Sequence, residues 1–89
     1  MAALPAERYA HISIDEQGIP WIAGTTLKVV EIVMAQRAYG WSPEEIHFQH
    51  PDLSMAQIHS ALAYYWDNAE LIDADIDRRE SRVHARERL

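Results

Sequence analysis

The sequence predicts a mainly α-helical domain with an N-terminal β-hairpin, three short helices in a helix-turn-helix-like layout, and an extended C-terminal helix. Three observations lead there. Two short apolar stretches flank the turn signal Asp15-Glu-Gln-Gly18. Two helix-start signals, Ser42-Pro-Glu-Glu45 and Ser54-Met-Ala-Gln57, follow one another closely. Gly40 and Pro51 stand where helices have to end.

Residues 9–14 alternate, with Tyr9, His11 and Ser13 on one face and Ala10, Ile12 and Ile14 on the other, which is a strand pattern. Asp15 suits the first position of a turn and Gly18 the last. Residues 19–22 return as the second strand. Pro20 has no N–H to donate, so that strand runs at an edge. A lone hairpin is marginal in water. Helices, or strands of another chain, have to cover its apolar face.

Thr25 or Thr26 is a candidate cap for a helix starting near Leu27. Leu27, Val30, Met34 and Ala38 recur at helical spacing, with Val29 and Val33 beside them. These β-branched residues lower intrinsic propensity, so packing must hold this helix until Gly40 ends it. The second helix starts on Ser42 as N-cap, with Pro43 in the first turn and Glu45 three residues after the cap. It directs Ile46 inward and stops at Pro51. Ser54 and Gln57 form a capping box for the third helix. That helix turns Ile58, Ala61, Leu62 and Tyr65 inward, with Met55 in its first turn.

Residues 66–89 contain neither Gly nor Pro, so the third helix is expected to run on. Ala69, Ile72, Ile76 and Val83 form a thin apolar stripe there. A stripe so sparse does not hold a helix against a small core by itself. It suits a partner's groove or a coiled coil. The expected organisation is a leader over residues 1–8, a hairpin plus three-helix domain over 9–66, and a charged helical tail over 67–89.

Eighty-nine residues make a single domain that buries a modest share of its surface, and a homodimer is expected. There is no cysteine, hence no disulfide and no thiolate for zinc or catalysis. No apolar run approaches membrane-spanning length, and residues 1–5 lack the basic start and apolar core of a signal peptide. A cytoplasmic protein without a membrane partner is expected. The net charge of −6 repels nucleic acid on average. The tail is polarised: five acids and no base over residues 67–77, then five arginines and two glutamates over 78–88.

Gln57, His59 and Ser60 are candidate contacts to base edges, and Lys28 and Arg37 candidate contacts to phosphate. Residues 54–66 nonetheless contain no Arg or Lys, and packing explains the third helix better than DNA reading does. His47 and His50 lie three apart near Asp52, but Pro51 breaks the helix between them and no further ligand is fixed. They read as surface residues, and no metal site is expected. Asp73, Asp75 and Asp77 alternate at a spacing that puts neighbours on different helix faces. With no Ser-His-Asp signature and no glycine-rich phosphate loop, neither catalysis nor a cofactor is expected. Trp21, Trp41, Tyr64, Tyr65 and Trp66 are many aromatics for this length. At least one tryptophan is expected at an interface.

These motifs resemble the small bacterial and archaeal proteins grouped as domain of unknown function 433. Gly18, Pro20, Ile22, Gly24 and Thr25 match its first motif. Gly40, Ser42, Glu44, Glu45 and Ile46 match the second. His50, Pro51, Leu53, Ser54, Ile58, Ala61, Leu62 and Tyr64 match the third. Ala23 and Thr26 stand where such proteins usually carry Arg, which removes two candidate phosphate contacts. The resemblance implies a winged or homeodomain-like helix-turn-helix fold and an antitoxin that neutralises a PIN-like ribonuclease toxin, with operator binding as an added possibility. The tail is then the neutralising element, through Ala69, Ile72, Ile76 and Val83 with Arg78, Arg79 and Arg82. The alternatives are a DNA-binding autorepressor and a structural dimerisation module.

Overall fold

The computed structural model describes residues 9–87, with side chains to residue 81. The expected leader, residues 1–8, lies outside them. Strands β1 (Ile12–Ile14) and β2 (Pro20–Ile22) precede helices α1 (Val29–Tyr39), α2 (Pro43–Gln49), α3 (Met55–Asp67) and α4 (Ala69–Glu87). The strands pair antiparallel, with Ile12 opposite Ile22, Ser13 opposite Trp21 and Ile14 opposite Pro20.

Asp15 organises the hairpin turn. One carboxylate oxygen accepts the backbone N–H groups of Gln17 and Ile19, at 2.8 and 3.0 Å. The other accepts the Trp21 indole N–H at 2.9 Å. The indole bond foremost, then the Ile19 amide, holds the Asp15 pKa below its ordinary value. The Lys28 ammonium lies over the Trp21 ring, 5.2 Å from its centroid. Strand β1 starts three residues later than the alternation implies, because residues 9–11 form a turn in which His11 takes φ 68°.

Helix α1 starts at Val29, not near Leu27, and neither threonine caps it. Thr25 instead closes the loop: its hydroxyl donates to the Ile22 carbonyl and accepts from the Leu27 N–H. The Ile22 N–H bonds the Leu27 carbonyl, and Lys28 bridges to Trp21. Residues 27 and 28 are thus tied to β2 in extended form and cannot join the helix. Gly24 makes the reversal, at φ 78°. The Glu31 carboxylate accepts the Lys28 N–H at 2.7 Å at the helix start. Gly40, at φ 67°, ends α1 in a left-handed cap, its N–H on the Gln36 carbonyl.

The next two starts form as the sequence predicts. The Ser42 hydroxyl accepts the Glu45 N–H, and Ser54 and Gln57 exchange both bonds of a capping box. Helix α1 packs chiefly on α3, α2 packs on α3, and the hairpin lies against both α1 and α3. The helices therefore cover the strands. Ile22, Val29, Ile46, Ile58, Ala61 and Tyr64 are fully enclosed. Ile32 is buried too, whereas Ala38, expected on the apolar face, is exposed in the last turn of α1.

The tail departs most from expectation. The helix breaks at Asn68 (φ −128°, ψ 31°), whose side-chain amide donates to the Tyr64 carbonyl at 3.0 Å. Beyond the break α4 touches both α1 and α3. Ile72 and Ile76 enter the same core, at 6% and 0% exposure. The stripe is thus not left bare. Two isoleucines, each contributing about 1.5–3 kcal/mol when fully buried, pack on the domain. A polar contact to α1, described below, joins them.

Candidate protein-docking surface

No helix among the described residues is long and apolar enough to cross a membrane. Nor do three His, Cys, Asp or Glu side chains there gather as a metal site. His47 instead has its Nδ1 2.6 Å from the Leu53 carbonyl. What stands out is apolar surface. Tyr39, Phe48 and Trp66 are 67%, 75% and 69% exposed, and Leu71 is partly exposed.

The C-terminal end of α1 meets the last turns of α3 and the first turns of α4. Arg37 reaches from α1 to the Tyr65 hydroxyl and to the Asp73 carboxylate, while the Tyr65 hydroxyl donates to Asp73 at 2.8 Å. The Tyr65 contact first, and the Asp73 charge with it, raises the Arg37 pKa. This cluster is partly exposed, so it fixes the direction of α4 more than it adds stability. Tyr39 stacks on Trp41 with ring centroids 4.6 Å apart. The Gln36 amide holds the Trp41 carbonyl. Trp66 meets Tyr65 edge to face at 4.9 Å and otherwise faces solvent.

Trp21 serves the hairpin and Trp41 is half-buried against the core, so Trp66 is the tryptophan open to a partner. Ala69 is half-buried against the core, and Ile72 and Ile76 lie within it. Arg78 and Arg79 both pair with Asp75, at 3.5 and 3.2 Å. The side chains of Arg82 and Val83 lie outside the described residues.

The candidate DNA contacts are scattered and mostly engaged. Lys28 sits on Trp21, and Arg37 is tied to Tyr65 and Asp73. Gln57 uses its amide oxygen in the capping box and its amide nitrogen on the Ala23 carbonyl. His59 is exposed and Ser60 half-buried. The exposed face of α3, with Ala56, His59, Ala63 and Trp66, has no Arg or Lys.

Reading for motifs overlooked Tyr39, Phe48 and the Arg37–Asp73 pair. Phe48 was accessible to such a reading: it lies two residues after the inward Ile46, on the opposite side of the helix. The Arg37–Asp73 pair depends on how α4 folds back and leaves no local signal.

One family, described as "Protein of unknown function (DUF433)", matches residues 16–65. No curated protein and no solved structure matches the chain. The matched span ends at Tyr65, so Ile72, Asp73 and Ile76 complete this core from outside it.

Proposed function

Belonging as it does to the DUF433 family, the chain is one for which we propose a non-enzymatic, protein-binding role: an antitoxin-like partner that neutralises a PIN-like ribonuclease in the cytoplasm, acting as a homodimer. The observation that carries the protein-binding part is the exposure of Tyr39, Phe48 and Trp66 on so small a domain. Burying a large aromatic contributes more to binding than most contacts, and tryptophan and tyrosine are enriched among the residues that dominate interfaces. The ribonuclease as partner rests on the family resemblance of the three motifs.

Partner contact moves outward in this reading. Ile72 and Ile76 are held by the domain, so the aromatics and the outer part of α4 meet the partner. The arginines from Arg78 onward supply steering and orientation. The test is co-expression with the product of the adjacent gene. Stoichiometric co-purification and loss of ribonuclease activity are expected. A catalytically active nuclease that never associates with this chain would refute the proposal.

The alternative of a DNA-binding autorepressor is supported by the α2–turn–α3 layout. It is weakened by a third helix without cations, since phosphate contacts dominate affinity for DNA. A purely structural dimerisation module would explain the exposed aromatics but not the polarised charge of the tail.

A further inference from the structure

A cavity of about 290 Å³ opens where the hairpin turn faces α4. Val30 and Ile72 are among its apolar walls, and Tyr64 also lines it. Tyr64 is fully buried, and its hydroxyl has no hydrogen-bond partner. An orphaned hydroxyl is costly to bury, and water or a ligand group in an adjoining cavity can satisfy it. Asp75, Arg78 and Arg79 line the same cavity. Their side chains are 33%, 62% and 33% exposed, which places them toward the mouth. Two guanidinium groups share one carboxylate there, leaving a local excess of one positive charge on a chain whose net charge is −6.

We propose that this cavity binds a small organic carboxylate with an apolar body and a second polar group at its far end, a hydroxyaryl carboxylate being the simplest form. The anion sits on Arg78 and Arg79, the body against Val30 and Ile72, and the far polar group meets the Tyr64 hydroxyl. The volume lies near the lower end of small-molecule sites, roughly 300–1,000 Å³. That admits a single ring with short substituents. A monoanion matches the mouth, because a neutral analogue would leave the excess guanidinium charge uncompensated. The site is separate from the aromatic surface proposed for the protein partner, so either proposal can fail without the other.

The test is a titration of the full chain with 4-hydroxyphenylacetate, followed by backbone amide NMR shifts. Phenylacetate and 4-hydroxyphenylacetamide serve as probes lacking the hydroxyl and the charge. Saturable shifts confined to the hairpin turn and to α4 around Ile72 and Arg79 are expected. The amide should bind about tenfold more weakly or worse, and so should the carboxylate to Arg78→Gln or Arg79→Gln. Tyr64→Phe should erase the preference for 4-hydroxyphenylacetate over phenylacetate. No saturable shift up to the solubility limit would overturn the proposal. So would equal affinity for acid and amide, or a hydroxyl preference that survives in Tyr64→Phe.

Discussion

Replacing Ile76 by alanine measures whether α4 is part of the folded domain. Ile76 is fully enclosed, although it lies in a segment that from sequence alone reads as a protruding tail. Truncating a core isoleucine costs about 2–5 kcal/mol, from lost transfer energy plus the residual cavity. The middle of that range suits Ile76, because α4 meets the core along one face and can relax toward the gap. A loss of about 3 kcal/mol, at roughly 4–8 °C per kcal/mol for a domain this small, lowers Tm by about 12–24 °C. Glu80→Ala, at an exposed position of the same helix, is the control and should stay within about 0.5 kcal/mol. Circular dichroism melts and urea titrations read both variants. An Ile76→Ala protein as stable as its Glu80→Ala control would mean that α4 does not pack on the domain, and the fold described here would be wrong in that part.

Gly24→Ala should destabilise by about 1 kcal/mol or more, read as a lower Tm. The residue has φ 78°, and no neighbour lies near enough for a new Cβ to clash, so backbone strain alone is measured. Asp15→Asn should lower Tm at neutral pH. Its folded pKa is held down by the Trp21 indole, with the Ile19 amide next, so the unfolded chain binds the proton more tightly. That stabilisation is present above the ordinary carboxylate value of about 3.9 and is lost as pH falls through the lower folded value. The gap between wild type and variant should therefore shrink in acid, and a gap constant with pH would contradict the role given to the carboxylate. In a fluorescence titration at about 150 mM salt, specific binding to the chain's own promoter should be weak or absent. Nanomolar binding there would favour the autorepressor.

Local chemistry in the sequence made much of the fold legible. Ser42, Ser54 and Gln57 cap the helices they were expected to cap, Gly40 ends α1, and Asp15 begins the hairpin turn. Each of these signals acts within a few residues. The start of α1 was misjudged because Thr25 can close a loop as well as cap a helix, and the choice depends on Ile22 pairing with Leu27. The docking of α4 was not legible because it rests on a turn at Asn68, which carries neither Gly nor Pro, and on contacts 36 residues apart such as Arg37 with Asp73. Motif reading located no docking surface. Exposure of Tyr39, Phe48 and Trp66 is set by what the neighbouring helices leave uncovered.

The docking of α4 also changes how the tail is to be tested. Deleting residues 67–89 would remove Ile72 and Ile76 from the core along with any partner contact. A point substitution on the surface separates the two effects. The most direct measurement is calorimetric titration of the adjacent gene's ribonuclease product into the full chain and into Trp66→Ala. Trp66 is 69% exposed, so its removal should leave Tm nearly unchanged. If it anchors the interface, truncation should cost about 2 kcal/mol or more, roughly a thirtyfold loss of affinity. Tight binding by the full chain and this loss in the variant are the expected result. No binding by the full chain, or equal affinity for both proteins, would contradict the account.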